Sequence, residues 1–148
     1  MGPDSIERET VIAAPVERVW ALLTEAEHIA VWFAFDGAEI DLRPGGELRL
    51  RWREHGEFHG VVDAVEPPAR FAFRWALDRD VAPAEGNSTH VEFTLAPEGD
   101  GTRLRVVERG FAALAGSDAD RARHVAGNVE GWQGAFDGLQ QHAERLAV

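Results

Sequence analysis

From Ser117 to Val148 the apolar positions Val125, Val129, Trp132, Phe136, Leu139, Ala143 and Leu146 are separated by alternating steps of four and three. At about 100° per residue, that spacing makes one continuous stripe on an amphipathic helix. Ser117 is a favourable N-cap, and Asp118 and Asp120 put negative charge where the helix dipole favours it. A helix of this span is about 45 Å long. Its stripe carries a Trp and a Phe, and burying each large apolar side chain is worth about 1.5–3 kcal/mol. Some other part of the chain has to cover it.

Upstream, Ile6 to Ala13 alternates and stops at Pro15, which predicts a first strand. Pro15 suits the first turn of a helix, and Val16, Val19, Trp20 and Leu23 continue a helical stripe to about Thr24. Thr24 followed by Glu27 has the spacing of a capping box and predicts a second short helix through Ile29 to Phe33. After Asp36 the period changes to two. Ala38–Leu42 reads as a strand, Pro44-Gly45-Gly46 as a turn, and Leu48, Leu50 and Trp52 alternate with Arg49, Arg51 and Arg53. Phe58–Val65 follows the turn at His55-Gly56, and Phe71, Phe73 and Trp75 alternate after Pro67-Pro68. A polar stretch, Asp78–Thr89, reads as a loop. Val91, Phe93 and Leu95 share one face, Gly99-Asp100-Gly101 signals a hairpin, and Leu104, Val106 and Glu108 keep the same parity.

The predicted architecture is α+β: a seven-stranded antiparallel sheet curled around the long C-terminal helix, with two short helices after strand 1. All 148 residues are expected to form a single domain, 1–148, with Met1–Asp4 loosely ordered. A sheet curved this strongly is expected to leave a cavity between its concave face and the helix.

Composition narrows the function classes. The net charge of −11 opposes nucleic acid and anionic membranes as partners, both of which need a positive footprint. No apolar run is long enough to span a bilayer or to serve as a signal peptide. There is no cysteine, which fits a cytoplasmic protein. Every basic residue is Arg. The six histidines show no zinc spacing and are read as surface groups, so no metal and no cofactor is expected.

Several segments together resemble one family. They are Ala14-Pro15 with Val19-Trp20, Trp32, Asp41 with Arg43-Pro44-Gly45-Gly46, and Gly60 with Glu66-Pro67-Pro68, Phe71 and Trp75. Thr102-Arg103-Leu104, Gly110-Phe111 and Gly131-Trp132 with Leu139 complete the set. In these the chain resembles stand-alone bacterial members of the heat-shock protein 90 ATPase activator homologue family, within the START-like (SRPBCC) superfamily of helix-grip domains. The resemblance implies that fold, over about Ile6 to Leu146, and a small apolar or amphipathic ligand held between sheet and helix. It also implies two alternatives: a chaperone-interacting module, and an enzyme of the cyclase or hydratase type using Glu108 as base.

The expected ligand-binding residues are Trp32, Phe35, Trp52, Phe73, Trp75, Glu108, Phe111 and Trp132, with the mouth near the Asp78–Thr89 loop; no catalytic residue is assigned. Aromatics at such spacing can also be plain core. Parity aims Glu108 at the cavity, where a desolvated carboxylate could orient a ligand; otherwise it meets water or a guanidinium such as Arg109 or Arg53. Gly127, Gly131, Gly134 and Gly138 fall opposite the apolar stripe. They suggest a close backbone contact in a dimer, no role at all, or a helix broken near Gly127, and the chain is expected to be a monomer or weak homodimer. Arg49, Arg51, Arg53, Arg74, Arg103 and Arg105 are expected to form an outer-face ladder with Glu47, Glu54, Glu57 and Glu92.

Overall fold

The computed structural model describes residues 4–146. β1 (Ser5–Ile12) leads into α1 (Val16–Thr24) and α2 (Ala26–Trp32). Then come β2 (Ala38–Ile40), β3 (Glu47–Trp52), β4 (Gly56–Glu66), β5 (Arg70–Ala76), β6 (Ser88–Glu98) and β7 (Gly101–Arg109). A 3₁₀ turn (Phe111–Ala113) and α3 (Asp118–Leu146) complete the order. All seven strands are antiparallel, in the order β1-β7-β6-β5-β4-β3-β2. Strands β2 to β7 therefore form a meander, and β1 joins at the far end by pairing Ser5 with Arg109 and Ile12 with Thr102.

Alternation sets which face is buried. Leu48 and Leu50, Phe71, Phe73 and Trp75, Val91, Phe93 and Leu95, and Leu104 and Val106 all point inward and are buried. Cross-strand pairs such as Phe71–Phe93, Phe93–Val106 and Leu95–Leu104 join them into one apolar floor. On the outer face Arg51 meets Glu39 and Glu57 at 3.2 and 3.3 Å, and Arg105 meets Glu7 at 2.7 Å. Arg49 pairs with Glu47, and Arg103 with Glu9 and Glu98. Arg74 instead donates to the Ser88 hydroxyl. The turn before β3 requires its glycines: Gly45 has φ +84°, and a Cβ on Gly46 would sit 1.9 Å from the Asp41 carbonyl oxygen.

α3 is unbroken through its glycines. Ser117 and Asp120 cap it reciprocally: the Asp120 N–H donates to Ser117 Oγ and the Ser117 N–H to Asp120 Oδ2, each at 3.1 Å. The Ser117 backbone N–H is the main reason the Asp120 carboxyl is held below its usual pKa. Trp132, Ala135, Phe136, Leu139 and Ala143 form the buried face. Trp132 meets Phe93 edge-on at 5.7 Å, and Phe136 stacks on Phe93 at 6.5 Å. At the far end the Ala13 N–H donates to Glu144, which ties the helix to the end of β1.

Several expectations shift. Val129, expected in the stripe, is 48% exposed, and Val125 is only half-buried. Val129 lies about 60° round the helix from Trp132, just outside the buried sector. The capping box at Thr24 does not form: Thr24 Oγ1 donates back to Trp20 O at 2.8 Å, and Glu25 precedes α2 without a side-chain cap. β2 ends at Ile40 because Asp41 already belongs to the turn, its carbonyl accepting from the Arg43 N–H. Met1–Pro3, Ala147, Val148 and the Leu146 side chain lie outside what is described. No helix among the described residues is long and apolar enough to cross a membrane.

Candidate functional site

β7 delivers Glu108 to the inner face by the same alternation that buries Leu104 and Val106, between Ile6 of β1 and Val91 of β6. It is 0% exposed. A carboxylate in such a place is costly unless its lone pairs are matched. Here they are. Trp132 Nε1 donates to Oε1 at 2.9 Å, Trp75 Nε1 donates to Oε2 at 2.9 Å, and the Thr89 hydroxyl donates to Oε2 at 2.5 Å. Asn128 Nδ2 donates to both oxygens, at 2.9 and 3.0 Å. All four partners are neutral, so the guanidinium pairing weighed from the sequence is not the arrangement found. Hydrogen bonds to a charged group are worth about 1.5–3 kcal/mol each, enough together to hold the carboxylate in place.

Beside this node lies a recess of about 680 Å³, open on one side. Its floor and one wall are aromatic: Trp32, Phe33, Trp52, Phe58, Trp75 and Trp132. Phe33 is the hub. It stacks on Trp132 at 5.3 Å and 11°, lies against Trp32 at 5.0 Å, and meets Trp52 edge-on at 5.0 Å. Trp52 Nε1 donates to Phe33 O at 2.7 Å and Trp32 Nε1 to Leu22 O at 2.6 Å, which pins the α1–α2 hairpin over the sheet. The other wall is one flank of α3, where His124, Gly127, Asn128, Gly131, Gly134, Ala135 and Gly138 follow each other along the helix. Gly127, Gly131, Gly134 and Gly138 thus line the recess. A Cβ built on Gly127, Gly131 or Gly134 would touch nothing within 4 Å.

Of the residues singled out from the sequence, Trp32, Trp52, Trp75 and Trp132 meet around this space. Phe35 joins them at the rim, 66% exposed. Glu108, Phe73 and Phe111 do not line it. Glu108 sits one layer behind, screened by Trp75, Asn128 and Trp132. Phe73 borders a separate apolar void of only about 20 Å³, and Phe111 is buried in the 3₁₀ turn. The mouth also differs: it lies among Val31, Phe35, His55 and the start of α3, and only Leu77 comes from the β5–β6 connection. That connection is tied down elsewhere, by Asp80 N–H to Glu57 O, Leu77 N–H to Asn87 O and Ala115 N–H to Gly86 O. Asn128 was not singled out. It stands one helical turn before Trp132, on the side facing Glu108, and that i, i+4 relation was the available signal.

The histidines divide. His55 and His124 border the recess, and His90 bonds Asp63 at 3.0 Å. His28 and His142 face each other across the α2–α3 contact with ring centres 5.8 Å apart. Burial, and then the neighbouring His28 and Arg145, lower the His142 pKa below its usual value. Glu25, Glu27 and His28 come close enough together to share a cation, but they sit at the start of α2 and none lines the recess.

Comparison with solved structures returns the same fold. A Mesorhizobium loti protein matches with TM-score 0.81 and 25% identity, over 97% of this chain and 99% of its own. A Nitrosomonas europaea protein matches with TM-score 0.72 and 26% identity, over 93% and 92%. CalU16 from Micromonospora echinospora matches with TM-score 0.71 and 27% identity, over 94% of this chain and 65% of that one. No functionally curated protein matches the sequence. The family model described as Activator of Hsp90 ATPase homolog 1-like protein matches residues 13–144. With the seven-stranded sheet closed on a long C-terminal helix, that match over nearly the whole chain makes it a member of the Activator of Hsp90 ATPase homolog 1-like family, in the START-like helix-grip superfamily.

Proposed function

We propose that the recess binds a small apolar or amphipathic molecule. The observation that carries this is the contrast between its two walls. One is built from packed aromatic rings. The other is a helix flank stripped of side chains at Gly127, Gly131 and Gly134, although nothing in the chain would collide with a larger residue there. Small-molecule sites are concave, mostly apolar spaces of about 300–1,000 Å³ with a few placed polar groups, and the recess has that size and character. DynU16, 25% identical over 48% of its length, is a protein in the dynemicin biosynthetic locus. That setting is in keeping with a small-molecule ligand.

The base role considered for Glu108 fits this geometry poorly, because both its oxygens are engaged by donors and the wall stands between it and the recess. The family description supports a second reading, a chaperone-associated module, and the exposed Phe35 and Val31 at the rim are what a protein partner would cover. A titration with Nile red separates the two. The ligand reading expects one dye per chain, lost in Gly131→Phe with the fold retained. A folded wild-type protein that leaves the dye in water would sink it.

A further inference from the structure

Every indole N–H around the recess is already spent. Trp32 donates to Leu22 O and Trp52 to Phe33 O, while Trp75 and Trp132 donate to Glu108. One N–H of the Asn128 amide is spent on Glu108 as well, shared between its two oxygens. Both Glu108 oxygens already accept from indole N–H groups and both lie beside Nδ2, which fixes how the Asn128 amide is turned: Nδ2 toward Glu108, Oδ1 away from it. Glu108 cannot swing to relax this, since Trp75, Thr89 and Trp132 hold it from other sides. Asn128 Oδ1 accepts no hydrogen bond from the described residues. It is not buried, and Asn128 lines the recess. The node therefore takes up the indole donors of Trp75 and Trp132 and leaves Asn128 Oδ1 as an oriented acceptor.

We propose that the recess takes flat apolar molecules bearing a hydroxyl or N–H, and that Asn128 Oδ1 receives this donor while Glu108 acts as the positioning residue that orients the amide. The proposal rests on the reading of the recess as a ligand site. Aromatic rings on one side and a helix flank bare at Gly127, Gly131 and Gly134 on the other favour a flat ligand. Carboxylates and ketones bring acceptors to a wall whose four indole donors are already taken. The remaining polar side chains offer weaker selection: His55 and Glu130 are exposed and compete with water, and His124 can present either a donor or an acceptor.

Naphthol and its methyl ether test this, since the two share size and ring and differ in the donor. One neutral hydrogen bond predicts that wild-type protein binds naphthol about three- to tenfold more tightly than the ether. In Asn128→Ala that ratio should fall to about one, with the ether's affinity little changed. On wild-type protein alone, the Asn128 side-chain carbonyl carbon resonance should move on saturation with naphthol and stay in place with the ether. This readout does not depend on the variant folding. Equal affinities in the wild type, a preference that survives Asn128→Ala, or a carbonyl resonance indifferent to naphthol would overturn the assignment while leaving the recess a ligand site. Binding of neither compound would remove both readings together.

Discussion

Replacing Gly127, Gly131 and Gly134 together by Ala should move stability and binding in opposite directions. All three lie inside α3, away from its ends, and an added methyl at any of them meets nothing within 4 Å. Each Gly→Ala change in a helix interior is worth about 0.8–1 kcal/mol, partly through the unfolded chain. With no clash to offset it, the triple variant should gain about 2–3 kcal/mol. For a chain of this size that raises the melting midpoint by roughly 5–10 °C. The same three methyls enter the recess, so Nile red should bind more weakly. Urea unfolding followed by tryptophan fluorescence gives the first quantity and a dye titration the second. Ordinary binding-site substitutions lose affinity at constant or lower stability, so a gain in one with a loss in the other is diagnostic. A triple variant less stable than wild type would mean that the flank is packed against something. A more stable variant with unchanged dye affinity would mean that the recess is not where the dye goes.

Two further expectations concern titratable groups. Glu108→Gln presents one acceptor oxygen to donors now shared by two, so at least part of the set faces an NH₂ group. Each orphaned buried donor costs about 1–3 kcal/mol. We therefore expect a loss of about 2–5 kcal/mol in urea unfolding, and a loss below about 1 kcal/mol would refute the hydrogen-bonded node. His142 sets a pH dependence: its folded pKa lies below the usual 6.5, so the unfolded chain binds more protons just below pH 6.5. This contribution to stability is full above pH 6.5 and is lost as pH falls toward the folded value. The drop in urea midpoint between pH 7.5 and about pH 5.5 should be smaller in His142→Gln than in wild type, and an equal drop would exclude the histidine as its source.

The sheet was readable from sequence because its inner face is written in a period-two code, Phe71-Phe73-Trp75 and Val91-Phe93-Leu95 being the clearest runs. The long helix was readable for a similar reason. What alternation cannot encode is depth. Glu108 has the inward parity expected of it, yet whether it reaches a cavity depends on what α3 lays over it, and that is set by Asn128 and Trp132 from another part of the chain. The glycines of α3 were visible but ambiguous, since a helical wheel shows a bare flank without showing which space it borders. Phe33 was one aromatic among many in the sequence. It became the hub only because the bend after α2 turns it onto Trp132.

Among the described residues β1 pairs with β7 and with no other strand, and the two are separated by nearly the whole meander. During synthesis at about 5–20 residues per second, β7 emerges on the order of 5–20 s after β1. Through that interval β2 to β7 can zip up hairpin by hairpin, while the first strand has no partner and closes the longest loop in the sheet last. An unpaired strand is a hazard in proportion to its hydrophobicity. β1 reads Ser-Ile-Glu-Arg-Glu-Thr-Val-Ile, with three charges in its middle and only Ile12 fully buried in the finished sheet. The two carboxylates, Glu9 and Glu7, find Arg103 and Arg105 once β7 arrives. Until then they keep the strand soluble, so the charged composition of β1 answers to the order in which the chain is made.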